Sequence, residues 1–258
     1  MTTRPHGAPA LRQPKFDDFA ASLSMGLQDF IAFPMVDFFF ASFFVLAGLF
    51  MMWITYLTGQ TFWMILLVMG FPLIGTLAAI GFYETSRLRQ NQEPVHFGSV
   101  VAHVWDEKGG QLPWLAAIIV VIFMFWFFLG HMIFALFLGL SPMTNVSTSL
   151  DVFFKPDGLM MLGFGTIVGG AFALLIFAIS VLGIPMLLDR DVDFITAMLR
   201  SASTVLASPM LFLGWGLLIG LVTMLAMVPL FLGLFIAMPV LGHATWHLYQ
   251  RLLVDPAA

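Results

Sequence analysis

The sequence predicts an all-α fold: a polytopic helical membrane protein with six transmembrane helices in three hairpins, each preceded by a cytoplasmic-side amphipathic helix. Three observations predict it. Four stretches, Phe38–Tyr83, Gly109–Leu150, Gly158–Leu188 and Ser201–Gln250, contain no Asp, Glu, Lys or Arg, and about 20 apolar residues are enough to cross a bilayer as a helix. The chain is 60% hydrophobic and 9% charged, against about 45–50% and about 25% in a soluble domain. Long unbroken apolar runs favour helices over barrel strands, which alternate apolar and polar residues.

Residues 1–15 are expected to form a flexible cytoplasmic N-terminus, 16–251 a single six-helix transmembrane domain, and 252–258 a C-terminal tail. The first 35 residues lack an apolar run followed by a small-residue cleavage site, so they do not read as a signal peptide. The crossings are placed near 37–57, 62–83, 113–140, 159–188, 209–228 and 230–250. The first two are separated by the polar break Leu57-Thr58-Gly59-Gln60. The last two form a run too long for one helix, with a turn expected near Met227-Val228-Pro229.

This count puts Arg4, Arg12, Lys15, Arg87, Arg89, Lys108, Arg190, Arg200 and Arg251 on one side and only Lys155 on the other. Positive residues collect on the cytoplasmic side, so both termini are expected there.

Each pair of crossings follows an amphipathic segment that ends at a proline. The first has Phe16, Phe19, Ala20, Leu23, Leu27, Phe30 and Ile31 on one stripe before Pro34. The second has Phe97, Val100, Val101, Val104 and Trp105 before Pro113, and the third Phe194, Met198, Ala202, Val205 and Leu206 before Pro209. These spacings are those of a one-faced helix. Pro94 suits the start of the second segment, and Asp193 suits a cap on the third. The closing crossing of each pair carries a proline, and Pro72, Pro185 and Pro239 are the expected helix breaks.

No Asp, Glu, Lys or Arg falls in the middle of a predicted crossing, where such groups mark proton and ion pathways. Asp37 and Asp189 fall at the ends of crossings and are expected to be solvated. His243 and His247, four apart on one helical face, are the candidate metal or haem ligands, with His96 and His103 placed to complete a site. The competing reading makes Trp246, His247 and Tyr249 an interfacial belt. His131 is expected to hydrogen-bond across helices. The pairs Gly165 and Gly169, and Gly216 and Gly220, fit the small-xxx-small pattern of close helix packing. With no cysteine, thiolate metal sites and disulfides are excluded.

The run Gly70-Phe71-Pro72-Leu73-Ile74-Gly75 through Gly81-Phe82-Tyr83-Glu84-Thr85-Ser86-Arg87, and the ending Pro239-Val240-Leu241-Gly242-His243-Ala244-Thr245-Trp246-His247-Leu248-Tyr249, resemble a bacterial family of predicted integral membrane proteins, filed as domain of unknown function 2189. The resemblance covers about residues 20–252. It implies a multi-pass protein of the bacterial inner (cytoplasmic) membrane. Some members of that family are labelled cytochrome c oxidase subunit I. A haem–copper core needs several histidines on several helices, and this chain has only His131, His243 and His247 in or at its crossings.

The favoured reading is a non-catalytic accessory, assembly or scaffold component of a membrane complex, a respiratory one among the candidates. Two alternatives stay open: a transporter or channel for a neutral or apolar solute, and a haem- or metal-binding protein using His243 and His247. No nucleophile and base pair can be placed, so neither enzymatic activity nor a cofactor is expected. The expected partners are the lipid bilayer and either another membrane protein or further copies in a homo-oligomer, with no nucleic acid.

Overall fold

The computed structural model describes residues 4–59, 79–139 and 153–254, and among them the chain forms ten α-helices. They are α1 (Phe16–Ala32), α2 (Pro34–Thr58), α3 (Ile80–Gln90), α4 (Phe97–Asp106), α5 (Leu112–Leu138), α6 (Pro156–Ser180), α7 (Gly183–Asp189), α8 (Phe194–Ala207), α9 (Pro209–Met227) and α10 (Leu234–Leu252). Among the described residues four segments are long and apolar enough to span a membrane: α2, α5, α6 continued by α7, and α9. Each opens with a proline in its first turn, where the missing N–H has no intrahelical partner to lose. No more than 39% of any of the four spanning windows is buried, so these helices present wide apolar faces outward.

The other two predicted crossings differ. The one at 62–83 falls largely on residues 60–78, which lie outside the described residues together with Pro72 and the Gly70–Gly75 motif; its end appears as α3. The one at 230–250 is α10, and only its first half is apolar. From His243 to Tyr249 it is buried among other helices, so Trp246, His247 and Tyr249 do not form the exposed belt that was the competing expectation. The turn before it occupies Val228–Gly233, with Leu230 and Phe231 at positive φ.

Helix α1 packs along α10, and it does so with a face turned away from the centre of its apolar stripe, sharing only the edge at Phe19 and Leu23. The buried residues are Asp18, Phe19, Ser22, Gly26 and Asp29, whereas Phe16 and Ile31 are 73% and 68% exposed. Polar and small residues therefore face the protein beside Phe19, and much of the apolar stripe faces out. Gly26 makes this possible: a Cβ there would sit 2.6 Å from both the Ala244 nitrogen and the Val240 oxygen. Helix α8 instead keeps most of its stripe inward: Val205 is buried beside Ala197, Ser201 and Thr204, Phe194, Met198 and Ala202 pack against the core, and only Leu206 of the stripe is exposed. Its N-cap is Asp193, whose carboxylate accepts from the Thr196 N–H at 2.9 Å, as expected. Helix α4 starts at Phe97 behind His96 rather than directly after Pro94.

Pro185 interrupts a helix and Pro239 does not. The chain turns at Val181–Leu182, four residues before Pro185 would have needed an i−4 partner. Ser201 of α8 mends the gap: its hydroxyl accepts from Leu182 N–H at 3.2 Å and donates to the Ala178 carbonyl at 2.6 Å. Pro239 lies within continuous helix α10.

Residues 4–15, expected to be a flexible tail, form an extended arm. Gly7 N–H donates to the Asp191 carbonyl and Asp191 N–H to the Pro5 carbonyl, both at 3.0 Å; Arg12 N–H donates to the Leu252 carbonyl at 2.9 Å and Val254 N–H to that of Ala10 at 3.0 Å. Backbone pairing on both sides leaves the arm little freedom.

The expected glycine pairs are not the tight contacts among the described residues. A Cβ at Gly165 or Gly220 meets nothing within 4 Å, and at Gly169 and Gly216 it meets only Trp126 and Phe177 side chains, at 3.3 and 3.4 Å. Gly26→Ala is expected to lower stability by about 1–3 kcal/mol through overpacking against backbone. Gly165→Ala is expected to be neutral or to add up to about 1 kcal/mol of helix propensity. Thermal unfolding of both variants in one detergent compares them.

Candidate functional site

Where α1, α2, α3 and α10 meet, five polar side chains form one buried chain of contacts. Each comes from a helix position facing the junction: Asp29 from the small-residue face of α1, Asp37 from the first turn of α2, Ser86 from the second turn of α3, and His243 and His247 one turn apart on α10. His243 Nε2 lies 3.0 and 3.1 Å from the two Asp37 oxygens. Its Nδ1 lies 2.8 Å from Ser86 Oγ. Ser86 donates in turn to Asp29 Oδ2, which also accepts from His247 Nε2 at 2.7 Å. The Arg89 guanidinium pairs with Asp29 Oδ1.

Asp37 was expected to be solvated. It is 0% exposed, as is His243, because α10 lies over the start of α2 and the Phe82 ring packs edge-on against His243 at 5.8 Å. Close packing there needs Gly242, whose Cβ would sit 2.8 Å from the Phe82 Cβ. A buried carboxylate is tolerated only when paired, and His243 supplies the partner. Asp189 is less enclosed, accepting from the Tyr249 hydroxyl at 2.9 Å and from Arg190 Nε at 3.0 Å.

The hydrogen count fixes the roles. Ser86 has one proton, and it goes to Asp29; His243 Nδ1 must therefore donate to Ser86. The remaining contact, between His243 Nε2 and Asp37, holds one shared proton. Burial pushes the Asp29 carboxyl up, but the hydrogen bonds from His247 and Ser86 and the charge of both histidines outweigh it. Its pKa lies below the ordinary carboxylate value. Asp29 is thus the anionic hub, balanced by Arg89.

Next to this chain lies a polar cavity of about 440 Å³, lined by Gln28, Asp29, Ser86, Arg89 and His247 among others. The Asp29–His247 end therefore borders this open cavity, and the Asp37–His243 end is closed. Beyond Asp37, α2 continues to Thr58 without an ionisable group other than Tyr56.

Both candidate ligands, His243 and His247, direct Nε2 at a carboxylate, each at a different one. Among the described residues no group of three or more His, Asp or Glu side chains is arranged to hold a metal ion. His96 is exposed at the start of α4, and His103 lies 3.1 Å from Glu84. Neither joins the α10 pair. His131 Nδ1 donates to the Phe127 carbonyl of its own helix at 2.8 Å.

The sequence reading missed Asp29 and Ser86. The signal available for α1 was Ser22 and Gly26, a small-xxx-small pair in a helix that otherwise invites reading by its large apolar residues. Nothing local marks Ser86.

Residues 63–189 match the model of a family described as predicted integral membrane protein (DUF2189). The first of the two motifs lies inside this match, with Ser86 and Arg89, and there the resemblance holds. The ending motif lies outside it, as do Asp29, Asp37, His243 and His247. No curated protein and no solved structure matches the chain.

His243→Ala leaves Asp37 buried without a partner and is expected to cost about 3–5 kcal/mol, read as a lower thermal midpoint in detergent. Acid should also loosen α1. The Arg12 guanidinium pulls the Asp18 carboxyl down to about 2, against an opposing effect of burial, and Asp29 is also depressed. A carboxyl whose folded pKa is lowered stabilises above its ordinary value, about 4, and loses that contribution as pH falls towards the folded value. The thermal midpoint is therefore expected to drop between about pH 4 and 2, less steeply in Asp18→Asn.

Proposed function

We propose that this integral membrane protein is a non-catalytic accessory, assembly or scaffold component of a membrane complex. In this reading it sits in the bacterial inner membrane with six crossings and both termini in the cytoplasm, the orientation that nine of its ten Lys and Arg residues favour. The observation that carries the proposal is a contrast in packing. The helices around Asp29 and His243 are locked by a polar chain whose members satisfy one another, while the spanning helices leave most of their length uncovered. A rigid end combined with open apolar flanks suits a protein held between membrane partners.

The polar chain has the Ser–His–Asp order of a hydrolase triad, in Ser86, His243 and Asp37. Two features speak against that use. Ser86 is fully buried, and its proton is already given to the Asp29 carboxylate, whose charge opposes a developing oxyanion nearby. A proton pump is equally disfavoured, since the chain of titratable groups stops in the first turn of α2.

Mass spectrometry of proteins co-purifying with the tagged chain, extracted in mild detergent at native expression level, tests the proposal. A stoichiometric membrane-protein partner is the expected result. A solitary protein that carries a neutral solute into proteoliposomes overturns it.

A further inference from the structure

Between α3, α6, α9 and α10 lies a second cavity, of about 280 Å³, near the lower end of the roughly 300–1,000 Å³ typical of small-molecule pockets. Among the described residues no charged one lines it, and its walls are almost wholly apolar. Leu174, Leu213 and Leu217 at its border are about half exposed on spanning helices, so access is from the bilayer side. Gly220 leaves the space open, with nothing within 4 Å of where a Cβ would stand.

One hydroxyl on this wall lacks a partner. Ser180, 1% exposed, makes no hydrogen bond among the described residues. A hydroxyl buried without a partner is unfavourable, whereas the nearby Thr245 hydroxyl is satisfied by its own helix, at the Leu241 carbonyl. Ser180 sits where α6 stops, one residue before the turn at Val181–Leu182, and Ser201 has already taken the Ala178 carbonyl. The unpaired Ser180 donor therefore calls for an acceptor from outside the chain. We propose that this cavity binds a neutral, bilayer-dissolved molecule carrying a carbonyl oxygen, which accepts from Ser180 while its apolar body fills the space beside Gly220. This site is independent of the polar chain at Asp29 and His243 and of the accessory role.

The test uses the full-length protein in mild detergent and two probes, tetramethyl-benzoquinone and tetramethylbenzene, the same methylated ring with and without carbonyls. The quinone is expected to raise the melting temperature saturably and the hydrocarbon to do so only at higher concentration. Ser180→Ala should melt no lower than the parent, because it removes an unsatisfied group, and should bind the quinone about fivefold more weakly while leaving the hydrocarbon unchanged. Gly220→Leu should abolish both shifts. The proposal is overturned if the quinone produces no shift, if both probes bind equally, if Ser180→Ala retains full quinone affinity, or if Gly220→Leu still binds.

Discussion

Two helix backbones can meet closely only where no side chain stands between them, and α1 meets α10 at Gly26. The rest of this end of the molecule follows from that approach. With the axes close, Asp29 on α1 reaches His247, and Asp18 reaches Arg251 at 3.2 Å and Arg12 at 2.7 Å. The start of α2 is drawn over α10, which encloses Asp37 and gives it His243. Phe19 meets Phe212 and Trp215 of α9 at ring distances of 5.7 and 5.6 Å, so the same helix also ties in the last span. One glycine position thus sets the register of a polar junction and an aromatic one.

The polar junction is affordable because its charges nearly cancel. Asp29 is balanced by Arg89, and Asp37 and His243 hold one proton between them. Each buried heteroatom of the chain has a partner, which limits the desolvation cost. What such a cluster provides is specificity of arrangement: apolar faces slide against one another with little penalty, whereas Ser86 bridges His243 and Asp29 in only one placement of α3. This accounts for polar residues facing inward in α1 while Phe16 and Ile31 face outward.

Much of the architecture was legible in the sequence because it rests on local rules. Prolines at 34, 113 and 209 separate amphipathic segments from spans, Asp193 caps α8, and a turn follows Met227. The candidate site was legible only in part. His243 and His247 stood out by spacing, but spacing says nothing of what a ring faces, and their partners come from residues more than 150 positions away. The solvated reading of Asp37 failed for the same reason: position along one helix does not reveal that another helix covers it. Reading α1 by its large residues also missed most of the buried face, which shares only Phe19 and Leu23 with the stripe, since in a membrane protein lipid accepts large apolar residues.

The pairing of Arg12 with Leu252 and of Ala10 with Val254 joins the segment before α1 to the end of α10 and the segment after it. During synthesis α1 and α2 emerge long before α10, so Asp29 and Asp37 have no histidine to meet until His243 and His247 leave the ribosome. Insertion of the early spans must therefore proceed with these carboxylates not yet paired with histidine, and the arm before α1 can close only once Leu252 and Val254 have emerged. A chain cut short before residue 243 keeps its hydrophobic spans but presents two unmatched acids and an unclasped arm, features by which quality-control proteases can tell an unfinished copy from a finished one.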